Sequence, residues 1–186
     1  MNKAVLFLSV LSACTALGAP MPAEGGEKRD TIPIEKVPDV EPPSRETLDQ
    51  SIRRAADFLL ASQNKDGSWG GTPHNYKCSM TGLALLAYLA HCETPLSEEF
   101  GENVLKGISF LVDLGMKNPV LSEQPALKEI CYDHAVATYA LCEAYTFCKQ
   151  MDIPSISNLE KVVIKAVDRI IDAQCPNGGW AYSYNN

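Results

Sequence analysis

The chain has little positive charge. Its 186 residues carry 16 Lys and Arg against 23 Asp and Glu, a formal net charge of −7 and a sequence pI near 5.0. Nucleic acids and anionic membrane surfaces are held by clustered basic residues, so neither is an expected partner. Long apolar runs are also missing. The most apolar stretch, Ala4 to Leu17, falls short of the roughly 20 residues that cross a bilayer. Beyond residue 45, Gly and Pro are confined largely to the junctions between apolar-periodic segments, which excludes a disordered or collagenous chain and leaves a globular one.

What stands at the start is a targeting segment. Met1-Asn2-Lys3 is a short positive opening to the apolar stretch, and together they read as a signal peptide over 1–18. Two processing readings remain open. Leu11-Ser12-Ala13-Cys14 has the form of a lipobox, which would leave Cys14 lipidated, whereas Ala16-Leu17-Gly18 suits ordinary small-residue cleavage. Either way the protein is expected to be exported, periplasmic or at the cell surface, and to touch membrane only through an N-terminal lipid. Residues 19–45 hold Pro20, Pro22, Pro33, Pro38, Pro42 and Pro43 with Gly25-Gly26, too little apolar surface for a core. They read as a linker, which at about 3.1 Å per residue of polyproline II would reach some 80 Å. The remainder, 46–186, is the folded domain.

That domain repeats. Arg54-Ala55-Ala56-Asp57-Phe58-Leu59-Leu60-Ala61-Ser62-Gln63 leads into Asn64-Lys65-Asp66-Gly67-Ser68-Trp69, and the phrase returns 111 residues later from Lys165 to Gln174, Gly178 and Trp180. Its front half alone appears between them as Lys106-Gly107-Ile108-Ser109-Phe110-Leu111-Val112. A period in the fifties signals a repeat architecture.

Taken in order, Thr47-x-x-Gln50 reads as a capping box opening a helix striped by Ile52, Ala55, Ala56, Leu59 and Leu60. From about Thr81 to Cys92 a second helix has no charged face, which predicts burial on all sides. Ser97 is expected to cap a third, carrying Val104, Ile108, Leu111 and Val112 and stopping near Gly115. A fourth, Asp133 to Lys149, is again nearly uncharged, and Ser157-x-x-Glu160 is expected to cap the fifth. Mixed-face and apolar helices thus alternate, which predicts an all-α fold of two layers with the apolar helices inside. A third apolar helix is expected just beyond Trp180, so the repeat domain is expected to be truncated at its C-terminus.

The phrase resembles the QW repeat of the squalene cyclase and protein prenyltransferase superfamily: a basic residue, a small one, an aromatic, aliphatics, then Gln and Gly-x-Trp. Arg54 to Trp69 matches throughout, while Lys165 to Trp180 carries Arg169 in place of the aromatic. Within that superfamily the chain is most similar to exported bacterial proteins with prenyltransferase/squalene oxidase repeats. The resemblance implies a partial α/α toroid. Gln63, Gly67, Trp69, Gln174, Gly178 and Trp180 are read as structural fasteners, the Gln satisfying loop backbone groups and the Trp lying across it.

The chemistry is less defined. Cyclases of this kind protonate an alkene with an Asp-x-Asp-Asp motif, and the chain has none. Zinc-dependent prenyltransferases use Asp, Cys and His, but Cys131-x-Asp133 reverses their Asp-x-Cys order. His74-x-x-x-Cys78 is a loose spacing, so neither a metal nor another cofactor is expected. The pairing of Cys78, Cys131 and Cys175 cannot be read from sequence. Tyr132-Asp133-His134 opens an apolar helix, where gathered helix N-termini favour anionic or hydroxyl-rich ligands. With Tyr76 these are the candidate ligand-binding residues. Asp133 and His134 are also weak candidates for an acid/base pair, against the alternative that Asp133 caps a helix and His134 packs. The expected function is a ligand-binding or interaction module for a small molecule, glycan or protein, without a demonstrable catalytic set. The alternative is an enzyme on the same scaffold, terpenoid cyclase-like or acting on polysaccharide.

Overall fold

Apolar residues at helical spacing predict helices, and the computed structural model places five among the residues it describes. It describes residues 44–71, 76–124, 130–154, 156–182 and 184. The expected signal peptide, Cys14, all but the end of the linker and His74 lie outside the described residues. The helices are α1 (Arg45–Ser62), α2 (Lys77–Ala90), α3 (Gly101–Lys117), α4 (Ile130–Gln150) and α5 (Leu159–Asp172). Among the described residues there is no strand, so the fold is all-α. The chain divides into two units, 1–54 and 55–186. In the first, the helix N-cap is Ser44, whose Oγ accepts the Thr47 amide at 3.2 Å. The expected box at Thr47 therefore lies inside the helix, one turn late.

In the second unit, α3 and α5 bury the stripes their periodicity marks: Val104, Ile108, Leu111 and Val112 on α3, Val162, Val163, Ala166 and Val167 on α5. At about 25 cal/mol per Å² of apolar surface removed from water, each Val, Ile or Leu among them stabilises the fold by roughly 1.5–3 kcal/mol. The uncharged helices α2 and α4 pack on each other where Gly82 lets the backbones close; a Cβ there would lie 3.0 Å from the Val136 carbonyl. Tyr88 of α2 is buried between the rings of Trp69 and Phe100, with centroids at 6.1 and 5.3 Å, and donates its hydroxyl to Ala56 O of α1 at 3.1 Å.

Burial of α2 and α4 on all sides does not hold. Each buries one side, Cys78, Thr81, Leu85, Tyr88 and Leu89 on α2 and His134, Ala137, Thr138, Leu141 and Cys148 on α4. Met80, Leu83 and Ala87, and likewise Tyr132, Ala135 and Tyr139, are exposed. An uncharged face is permitted to be buried but is not obliged to be. Two helix starts also differ from expectation. Ser97 precedes α3, its Oγ accepting the Thr94 amide at 2.9 Å, and the N-cap is Phe100. Asn158, at φ +64°, precedes α5 without a side-chain cap, and Glu160 accepts the Tyr145 hydroxyl at 2.9 Å.

The two Gln-x-x-x-Gly-x-Trp loops are built alike. Gln63 Nε2 donates to Gly67 O at 2.9 Å, and Gln174 Nε2 to Gly178 O at 2.8 Å. The indole N–H of Trp69 donates to Leu59 O and that of Trp180 to Ile170 O, both at 2.8 Å. Asn64 and Cys175 donate their amides to the carbonyls of Ser68 and Gly179, each at 2.8 Å. Both turns need a left-handed residue, with φ +87° at Gly67 and at Gly178. The internal geometry is the same; the surroundings are not. Gln63 also donates to Asn103 O at 2.9 Å and accepts from Asn103 Nδ2 at 2.6 Å, tying the first loop to α3. Trp69 is 3% exposed and lies over Gly107, where a Cβ would come within 2.8 Å of its ring. Trp180 is 51% exposed.

Between them, the junction that has lost Gln and Trp is closed from the other side. Lys165 Nζ reaches back from α5 to Gly115 O at 2.7 Å and Asn118 O at 2.6 Å, satisfying carbonyls at the end of α3. Leu121, 52 residues after Trp69, fills the corresponding core position and is fully buried.

Candidate functional site

The four candidate ligand-binding residues separate into two pairs. His134 is fully buried, and both ring nitrogens are committed to backbone. Leu121 N–H donates to Nδ1 at 2.8 Å, which fixes the proton on Nε2, and Nε2–H donates to Ala166 O at 3.1 Å. Burial lowers its pKa from 6.5 to about 4, the bond to the Ala166 carbonyl offsets part of that, and the Arg169 charge adds a smaller push downward. Tyr184 closes the pocket edge-on at 5.4 Å, itself covered by Arg169 at 5.3 Å from its ring. One repeat earlier the same bond is made by Thr81, whose Oγ1 accepts the Trp69 amide at 2.9 Å. His134 is thus a joint between the loop at Leu121, α4 and α5, and its ring leaves no nitrogen for a ligand.

Asp133 is 2% exposed. Its Oδ1 accepts the Ser79 amide at 2.8 Å, which caps the first turn of α2 rather than its own helix. Its other oxygen, Oδ2, is buried without a hydrogen-bond partner. Cys78 lies beside it, and burial first, then the Asp133 charge, pushes that thiol up to about 12, far from a reactive thiolate. The two ionisable groups of the cluster therefore serve helix packing.

Tyr76 and Tyr132 do the opposite: both are exposed, at the N-terminal ends of α2 and α4. Tyr132 stacks on Tyr182 with ring centroids 5.8 Å apart. Met80 and Leu83 continue this surface along α2, and Tyr139 continues it along α4. Residues at i, i+3 and i+7 share one side of a helix, and here both stripes lie on the side that each helix does not bury. Each helix thus presents an exposed, largely apolar stripe carrying phenol groups. Glu143, beside Tyr139, holds that phenol above its ordinary pKa, first by its charge, with burial and the phenol's hydrogen bond to the carboxylate adding to it. Such stripes can cover an apolar molecule.

Met80, Leu83 and Tyr139 were not singled out by sequence. The signal was present as Met80-x-x-Leu83-x-x-x-Ala87 and Tyr132-x-x-Ala135-x-x-x-Tyr139, but in an uncharged helix nothing distinguishes a stripe turned outward from one turned inward. A separate open groove of about 590 Å³ lies between the first Gly-x-Trp loop and α3, lined by Lys65, Asp66, Lys106, Phe110 and Asp113 among others. Among the described residues no three His, Cys, Asp or Glu side chains gather as metal ligands, and no helix is long and apolar enough to cross a membrane. Comparison with protein-family models, with curated proteins and with solved structures finds no match.

Proposed function

We propose that the chain is an exported repeat domain of the squalene cyclase/prenyltransferase kind, a partial α/α toroid, that binds an apolar ligand on the face of its two inner helices. The observation that carries the reading is the exposure of Leu83 (51%) and Tyr132 (57%), with Met80, Tyr76 and Tyr139, on two helices that lack a charged face. Large apolar side chains clustered on one side of a folded domain mark a binding surface more often than chance. The repeated Gln-Gly-Trp loops and the alternation of helices support the toroid, in which such a face would line the centre. The signal-like start supports export, with Cys14 as the site of a lipid anchor.

The test uses the full chain and two probes. Anilinonaphthalene sulfonate should fluoresce on the folded protein and be displaced by squalene dispersed in detergent below its own binding to the dye. Leu83→Glu, on an exposed position, should leave the helical circular dichroism unchanged and abolish the dye signal. Dye binding that is absent, or that survives Leu83→Glu unaltered, would overturn the proposal.

A further inference from the structure

The loop that follows α3 is pinned at both sides and held in its middle by a histidine. On one side Lys165 Nζ donates to Gly115 O and Asn118 O. On the other, the Glu123 carboxylate lies 3.9 Å from the Lys77 ammonium, and the Glu123 backbone is hydrogen-bonded to Cys78. Between them the backbone closes on its own loop: Ser122 N–H donates to Val120 O at 3.0 Å, and Ser122 O accepts from Asn118 Nδ2 at 3.2 Å. Among the described residues, one hydrogen bond ties Val120–Ser122 to the helices, from the Leu121 amide to His134 Nδ1 at 2.8 Å. That bond needs the lone pair of Nδ1. A proton placed there would set two N–H donors against each other, and Nε2 gives no relief because its own proton goes to Ala166 O.

The surroundings do not stabilise a positive ring. From α5 come two cations, Arg169, whose charge acts on His134, and Lys165, which lines the same small pocket. Tyr184 meets the ring edge-on as a neutral phenol, its pKa pushed up to about 12 by burial. The end of α3 contributes Gly115, and the loop contributes Asn118 to Leu121, none of them charged. On α4 itself the neighbouring carboxylate, Asp133, is turned to the Ser79 amide. Among the described residues no carboxylate lines the pocket. We infer that protonation of His134 releases the Val120–Ser122 segment from α4 as a local opening, a pH-sensitive latch, while the helices stay packed. With the ring neutral, the Leu121 side chain, 1% exposed, keeps the latch shut. In the shut form burial holds the ring near 4, and in the opened form it returns to its ordinary 6.5. The opening equilibrium is therefore level above pH 6.5 and rises as the pH falls from there toward 4, by about 300-fold in all.

Amide hydrogen exchange of the full chain, each rate divided by that of an unstructured amide at the same pH, reads the latch directly. Protection of the Leu121 amide should fall by about 300-fold from pH 7 to pH 4. Its exchange should not respond to low concentrations of urea, the mark of a local opening. The amides of Leu85 on α2 and Ile108 on α3 should be better protected and should respond to urea, because only unfolding exposes them. His134→Gln puts a side chain that does not titrate at this position and should leave Leu121 protection level across the interval. The histidine ring resonances of the wild type give a second reading that needs no variant: the protonation step of His134 should coincide with the loss of Leu121 protection. Leu121 protection that stays level in the wild type, exchange of Leu121 with the urea response of Leu85, an equal fall in His134→Gln, or a ring that titrates while Leu121 stays protected would each overturn the inference.

Discussion

Trp69 and Trp180 donate the same hydrogen bond from the same place in the same loop, and differ in what stands beside them. Truncating Trp69 would open a cavity against Tyr88 and Gly107, and buried Trp→Ala changes cost about 3–5 kcal/mol. Trp180 is half exposed, and Trp180→Ala should cost about 1 kcal/mol or less, as surface substitutions do. Urea unfolding of the two variants measures the difference. His134 makes a pH prediction. Its folded pKa of about 4 lies below its ordinary 6.5, so between those values the unfolded chain binds the proton more readily. Its contribution is complete above pH 6.5 and is lost as the pH falls toward 4, an effect on the order of 3 kcal/mol. The stability gap between wild type and His134→Gln should therefore narrow over that interval. A gap of constant size would show that His134 does not fold in its neutral form.

At the scale of elements, the junctions decide how α1, α3 and α5 are joined, and each uses different donors. Gln63 spans the end of α1 and the start of α3 with three hydrogen bonds, whereas Gln174 makes one within its own loop. Gln63→Ala also leaves Asn103 short of a partner, so it should destabilise by about 1–3 kcal/mol and exceed Gln174→Ala, again read from urea unfolding. Lys165 covers the two carbonyls at the end of α3, and Lys165→Met, which keeps the stem and removes the ammonium, should cost about 1–2 kcal/mol. The five helices and the two complete loops were legible because periodicity and a repeated phrase report backbone geometry directly. The Lys165 bridge was not: it crosses from one repeat to the previous one, and a lone Lys on a mixed-face helix has the same pattern whether it meets solvent or a carbonyl. Capping boxes misled for a related reason. Ser157-x-x-Glu160 satisfies the pattern, but Tyr145 on another helix competes for the Glu160 carboxylate.

For the whole molecule, the candidate site illustrates where sequence reasoning stops. Tyr132, Asp133 and His134 are neighbours in the chain, yet a helix turns consecutive residues about 100° apart, so one faces outward and two face the packing. Their residue types suit a site; their directions assign only the first to an open surface. The repeat supplies what single residues do not, because one closed loop serves as the reference for an open one. That comparison is the centre of the account, and the chain's two tryptophans make it measurable. Acrylamide quenching of Trp180→Phe and Trp69→Phe chains at sub-micromolar concentration reads each indole alone. Trp69 should emit to the blue and resist quenching, and Trp180 should emit to the red and quench readily. Equal protection of both indoles would contradict the different surroundings of the two loops.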